Sequence, residues 1–275
     1  MTSTIQREND GTIKLTVHIS WNEIKKTQEE IMNKVAKTAK IPGFRAGKAP
    51  KKLVEESADK QKIQEEVLKQ LLPQKYIEAV QEHNLKPIVN PKIHVEKLED
   101  NAEWIFTATT CEMPKVELNN YKDAIKAITA KAKIVVPGKE PQEPKLDDIL
   151  NALIKSVKVT IPSMLIEHEV DRLLSQLLDE IKRLGLTLDQ YLASTNRTPE
   201  KLRKEYEERA KNDLILEFAL AQIAEAEKIT VDAQEIEEAI QKAKDSKEKE
   251  HLQNNRYLLA SILRQQKTLD FLRSL

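Results

Sequence analysis

Glycine, aromatic rings, cysteine and net charge are all in short supply in this 275-residue chain, and each shortage excludes something. Five glycines leave no Gly-rich phosphate loop, and neither a nucleophile elbow nor a paired-cysteine motif is present. With 4% aromatics against 33% charged residues, the composition suits a helical protein with wet faces and modest cores. It argues against an enzyme built around a deep pocket. It also argues against a single-stranded nucleic-acid binder, which stacks bases on aromatic platforms. Lys plus Arg and Asp plus Glu are 45 each, so the net charge is zero and general DNA binding is excluded. The lone Cys111 cannot close an intrachain disulfide, which fits a reducing compartment. No run approaches the ~20 apolar residues of a membrane span. The N-terminus lacks the apolar core of a signal peptide, so the expected location is cytoplasmic, with no membrane partner. His18, His83, His94, His168 and His251 are scattered without metal-ligand spacing, and Glu167-His168-Glu169 points its side chains in different directions on a helix. The sequence predicts no catalytic residue, no metal and no cofactor.

What the chain does have is concentrated in Lys40-Ile41-Pro42-Gly43-Phe44-Arg45-Ala46-Gly47-Lys48-Ala49-Pro50. Two of the five glycines fall here, and seven Lys or Arg with no acidic residue lie between Lys34 and Lys52. Gly and Pro fix a special backbone path, and the uncancelled cations make a local field. On spacing alone, the stretch suits either a turn between two helices or a finger, with Phe44 at its tip, that docks on a large anionic partner.

Around it, Ile13, Leu15, Val17 and Ile19 alternate with polar residues as a half-buried strand. Thr4 to Glu8 is its hairpin mate across Asn9-Asp10-Gly11. Trp21, Ile24, Gln28, Ile31, Val35 and Ala39 mark one helix face. Pro50 suits the first position of a further helix. A longer helix runs from about Lys62 to His83 on a stripe of Leu68, Leu72, Tyr76, Ala79 and Val80, with Pro73 expected to kink or split it. Pro91 to Leu98 and Ala102 to Met113 alternate again, which predicts a hairpin. Residues 115–146 read as an extended linker arm, with three prolines between Pro137 and Pro144. Beyond it the pattern is helical, with Pro162 and Gly185 bounding one helix. Caps at Thr187, Thr198 and Asp232 start others, and a last helix carries Leu252, Leu259, Leu263 and Leu272. The fold class expected is α+β: an antiparallel sheet with helices over 1–114, the arm over 115–146, and an all-α domain over 147–275.

The string Gly43-Phe44-Arg45-Ala46-Gly47-Lys48-Ala49-Pro50 resembles the Gly-Phe-Arg-x-Gly-Lys-x-Pro loop of trigger factor, the bacterial chaperone of the ribosomal nascent-chain exit. Length and element order of residues 1–114 resemble that family's ribosome-binding domain. Val116-Glu117-Leu118 with Tyr121-Lys122 resembles the start of its arm, and Thr160 through Ile240 its helical domain. The resemblance implies an ATP-independent chaperone whose partners are the ribosome, through an exit-tunnel protein and rRNA, and nascent or unfolded polypeptides; relatives also form homodimers off the ribosome. It implies ribosome contacts from Phe44, Arg45, Ala46 and Lys48 in a loop shaped by Gly43, Gly47 and Pro50. It also implies a client cradle among the helices, for which Met164, Leu165, Leu178 and Leu188 are candidate contacts. The family's usual form inserts an FKBP-type prolyl isomerase domain between arm and helical domain. Residues 115–160 hold one aromatic, Tyr121, and one glycine, Gly138, so that domain is expected to be missing and no enzyme activity is expected. The alternatives are a ribosome-independent holdase and a helical scaffold that binds one folded partner.

Overall fold

The computed structural model describes residues 3–38, 44, 50, 53, 59–132, 145–243 and 245–275. The chain divides into two units, Met1–Met113 and Pro114–Leu275.

The first unit is an antiparallel sheet with helices. Strand β1 (Ser3–Arg7) pairs with β2 (Thr12–Ile19), placing Ile5 opposite Leu15. In the turn between them Gly11 takes φ +90°, which a side chain would strain, and the Asp10 carboxylate accepts the Thr12 N–H at 2.9 Å. Strands β3 (Lys92–Lys97) and β4 (Trp104–Cys111) form the second hairpin, and the sheet order is β1-β2-β4-β3. Period-two alternation sends Ile13, Leu15, Val17, Ile19, Phe106 and Ala108 into the core. Helices α1 (Trp21–Thr38) and α2 (Lys60–Glu82) add Ile24, Ile31, Val67 and Leu71 to it. Each such side chain contributes roughly 1.5–3 kcal/mol by leaving water. With so little glycine, left-handed backbone falls largely to asparagine: Asn84 after α2, Asn101 between β3 and β4, and Asn119 and Asn196 further on.

Two expectations for α2 need correction. Pro73 neither splits nor ends it; the helix is continuous from Lys60 to Glu82. Pro73 is exposed, so the Lys69 carbonyl that it leaves without a helical donor faces the solvent side. The buried face is Val67, Leu71, Lys75 and Ala79 rather than the Leu68–Leu72–Tyr76 row, which is only partly buried. Period alone could not place a lysine in the centre of an apolar face.

Among the described residues the second unit is helical apart from a two-residue ladder, β5 (Val116–Glu117) against β6 (Lys158–Val159). Residues 115–146 are not an extended arm throughout. After β5 comes helix α3 (Tyr121–Ala132), and α4 (Leu146–Ser156) begins at the expected arm's end; residues 133–144 lie outside the described residues. The Ala-rich sequence favours helix, and Tyr121 and Ile125 are buried on one face of α3. They pack with Ile149 and Leu153 of α4. Helix α5 (Ser163–Arg183) runs to Gly185 (φ +71°), where Leu186 N–H reaches the Ile181 carbonyl at 3.1 Å. That is the glycine-closed C-terminus expected there. Helix α6 (Leu188–Thr195) has a capping box on Thr187 and Gln190. Helix α7 (Pro199–Ala226) starts at its Thr198 cap. Asp232 and Glu235 form a second capping box for α8 (Ala233–Gln241). The final helical stretch is two helices, α9 (Ser246–Asn254) and α10 (Arg256–Ser274), and not one. Asn255 breaks it: both its N–H and its side-chain amide donate to the His251 carbonyl, a local competition that asparagine favours.

Candidate functional site

The basic loop joins α1 to α2. Of the motif, Phe44 and Pro50 are described, and both are exposed. Phe44 keeps 44% of its surface in water. Gly43, Arg45, Ala46, Gly47 and Lys48 lie outside the described residues. Leu53 is helical and its N–H meets the Pro50 carbonyl at 3.0 Å, a helical turn starting where proline is favourable.

The two helices bearing the loop are tied by Lys75. Its ammonium lies 2.5 Å from Glu23 Oε1 on α1 and 2.9 Å from Glu78 Oε2 on its own helix, with 9% of the side chain exposed. Burial alone would pull the Lys75 pKa down, but hydrogen bonds to Glu23 and Glu78 outweigh it and hold the group above the ordinary lysine value. The hydrogen bond from Lys75 in turn holds Glu23 below the usual carboxylate value.

Among its described residues the second unit carries two exposed apolar surfaces. One surrounds Gly185, where Leu178, Leu184, Leu186 and Leu188 are exposed above a small core of Leu177, Ile181, Leu192 and Leu202. The other is a cleft of about 590 Å³ between α7 and α10, closed at one side by Glu169 and Arg172 of α5. Leu258 and Ile262 of α10 are exposed along it, and Tyr257 beside them is 95% exposed. Of the candidate client contacts, Leu178 and Leu188 are exposed and Met164 is half-buried. Leu165 is 6% exposed and belongs to the core: at the start of α5 it faces inward, although the start of a helix looked like surface. Helical spacing puts Leu184 in line with Leu177 and Ile181, yet it lies past the end of α5 and is 73% exposed. Sequence reasoning passed over Leu186, Tyr257, Leu258 and Ile262, whose only signal was apolar character off the main stripe, which periodicity ranks as noise.

Among the described residues no three His, Cys, Asp or Glu side chains converge on a point that could hold a metal. His18 Nδ1 faces Glu103 at 3.5 Å and His83 Nε2 faces the Ser3 hydroxyl at 3.0 Å, each a single contact. Burial pushes the Cys111 thiol up to about 11, so it is a neutral core group at physiological pH. Tyr121 is likewise pushed up by burial and by its hydrogen bond to Glu227, which also takes the Lys122 ammonium at 2.7 Å. That cluster fastens α3 to the end of α7.

Comparison with known proteins adds the class. Over its full length the chain superposes on a solved structure described as "Promiscuous Substrate Recognition in Folding and Assembly Activities of the Trigger Factor Chaperone". The TM-score is 0.70 with 99% of that chain covered; at 13% identity this likeness is one of fold. A sheet-and-helix unit followed by a helical body is therefore a fold that a solved structure shares. The family model for bacterial trigger factor protein matches residues 1–148, and the model for its C-terminus matches residues 139–274. The chain belongs to the trigger factor family. Among curated relatives, trigger factor of Ligilactobacillus salivarius is 38% identical over 118 residues, 42% of this chain and 27% of that protein. Trigger factor of Corynebacterium aurimucosum is 34% identical over 153 residues, 56% of this chain and 32% of that protein. The matches thus span about a quarter to a third of the relatives' length.

Proposed function

We propose that this chain is an ATP-independent chaperone that docks at the ribosomal nascent-chain exit and holds unfolded segments. The observation that carries the reading is the Gly43–Pro50 string with Phe44 exposed between two braced helices. Phe44 buries its ring against an exit-tunnel protein. Arg45 makes a forked pair with a carboxylate or an rRNA phosphate, and Lys48 adds a point charge toward rRNA. Gly43, Gly47 and Pro50 shape the loop, and Ala46 joins Phe44 and Arg45 in the contact. Off the ribosome the protein pairs with a second copy, and its place of work is the cytoplasm. The client is met by the second unit, through Leu178 and Leu188 with their neighbours Leu184 and Leu186, and through the α7–α10 cleft. Apolar surface of this kind, rimmed by charge, marks a binding site. Release follows mass action, without nucleotide.

An isomerase domain is absent from this reading. The connector between α3 and α4 runs only from 133 to 145, too short for a domain of ordinary size. Ribosome pelleting tests the docking: the chain co-sediments and the Phe44→Ala/Arg45→Ala variant stays in the supernatant. A variant that pellets like the wild type refutes the role of the loop. A prolyl-peptide assay should show background rates, and turnover above them refutes the loss of the isomerase.

A further inference from the structure

The buried face of α2 holds a charge at its centre. Among the described residues Lys75 is the one buried charged side chain, and the other buried polar side chains are threonines. Its ammonium reaches Glu23 Oε1 on α1 at 2.5 Å and Glu78 Oε2 on α2 at 2.9 Å. The Glu23 carboxylate is also held from its other oxygen. The Ser20 hydroxyl donates to Oε2 at 2.9 Å, and the Glu23 N–H donates to the Ser20 carbonyl at 3.1 Å. Ser20 directly follows Ile19, the fully buried last residue of β2. One carboxylate thus joins Lys75 to the point where α1 leaves the sheet. The other contributions of the two helices to that core are Ile24 and Ile31 from α1, and Val67, Leu71 and Ala79 from α2.

We propose that Lys75 is a positioning residue for the docking loop: its bond to Glu23 sets the axial register of α1 against α2, and with it the place at which Phe44 is presented. The inference rests on the docking reading above and adds to it a residue outside the loop. Three physical facts lead to it. First, apolar packing is non-directional, so isoleucine, valine and leucine hold two helices together at more than one axial offset. A hydrogen bond between charged groups is lost within a slip of about 1 Å. Second, a slip that carries Glu23 away leaves a buried ammonium with part of its partners, which is costly, and a buried polar group of this kind fixes register in paired helices. A methionine at this place would fill the core without specifying any register. Third, α1 is one uninterrupted helix from Trp21 to Thr38. A displacement at Glu23 is therefore carried about 22 Å, at ~1.5 Å per residue, to the end that bears the loop. Glu78 differs from Glu23 in this respect. It lies on the same helix as Lys75, so its bond says nothing about where α1 sits.

The test separates position from stability by comparing the two glutamates. Glu23→Gln and Glu78→Gln each weaken one bond to Lys75, at side chains that are both 43% exposed, and should lower the urea midpoint of the first unit alike. Only Glu23→Gln, and with it Lys75→Met, should weaken binding of the full chain to labelled ribosomes at pH 7, by about fivefold, while Glu78→Gln stays within about twofold. In the Phe44→Ala/Arg45→Ala background Lys75→Met should cost no further affinity, because the loop through which it acts is already disabled. Equal losses for the two glutamate variants, wild-type affinity for Lys75→Met, or the same loss in the loop-variant background overturns the proposal. Spin labels at Lys37→Cys on α1 and His94→Cys on β3, both exposed, read the register without the ribosome. The distance between them should be single and narrow in the otherwise unaltered chain and in Glu78→Gln, and shifted or broadened in Glu23→Gln and Lys75→Met. A distance unchanged in Lys75→Met overturns the register claim even if that variant is less stable. A wild-type chain that does not bind ribosomes sinks the docking reading, and the distance measurement then still decides whether Lys75 sets the register.

Discussion

Replacing Lys75 with methionine probes the brace between the two helices that carry the loop. Methionine preserves most of the buried aliphatic stem and removes the two charge-assisted hydrogen bonds to Glu23 and Glu78. Hydrogen bonds to charged groups contribute about 1.5–3 kcal/mol when both partners are held. Both glutamates keep 43% of their side-chain surface in water and rehydrate once the lysine is gone. The expected loss is therefore near the lower end, about 1–2 kcal/mol. Lys75→Ala also removes buried methylenes at ~0.8 kcal/mol each and should cost about 3–4 kcal/mol. The assay is built into the chain, because its two tryptophans, Trp21 and Trp104, both lie in the first unit. Urea unfolding followed by tryptophan fluorescence thus reports that unit. The pH dependence has a defined sign. Glu23 is held below its ordinary value, so its share of stability is present above the unfolded carboxylate pKa near ~4.3 and is lost as pH falls through the lower folded value. Wild type and Lys75→Met should converge in acid. Lys75 is raised, so its share is complete below the unfolded lysine pKa and lost as pH rises through the folded one. A Lys75→Met variant as stable as the wild type at pH 7, or more stable, would refute the reasoning and show that desolvation cancels the pair.

Other consequences follow from burial and backbone. Leu165→Ala should destabilise the second unit by about 2–4 kcal/mol, whereas Leu184→Ser, at a position 73% exposed, should shift thermal unfolding little; equal effects would contradict the assignment of Leu165 to the core. Gly185→Ala meets no steric neighbour but must hold φ +71°, so it should cost about 1–2 kcal/mol, and a neutral result would exclude the left-handed cap. Asp232→Ala should cost about 1 kcal/mol through loss of the α8 cap, read as a lower urea midpoint by circular dichroism. Cys111 should resist alkylation at pH 8 until the chain is unfolded in urea, since its thiol is buried and raised to about 11; rapid labelling of the native protein would refute that burial.

Much of this fold was legible in the sequence, for reasons that can be named. Strict alternation in β2 and β4 leaves only one face to bury, and local cap chemistry at Thr187, Thr198 and Asp232 needs no tertiary information. The misreadings were tertiary. Lys75 sits at the centre of a buried face because two carboxylates accept it there, and no periodicity rule shows that. Pro73 survives inside α2 because its place on the helix is solvent-facing. Residues Tyr121–Ala132 read as arm because the prolines that follow dominate the composition, yet Tyr121 and Ile125 have a core to enter. In the candidate site, the docking string was legible as a motif. The open surface at Leu184, Leu258 and Ile262 was not, since exposure of an apolar residue depends on which neighbours fail to cover it.

The central claim is that ribosome contact runs through the loop at Phe44, and its most direct measurement is titration of labelled ribosomes with the wild-type chain and with Phe44→Ala/Arg45→Ala. The account predicts saturable binding by the wild type and a loss of at least about tenfold in affinity, or about 1.4 kcal/mol, for the variant, with unfolding in urea unchanged. Equal affinity for the two proteins would contradict it.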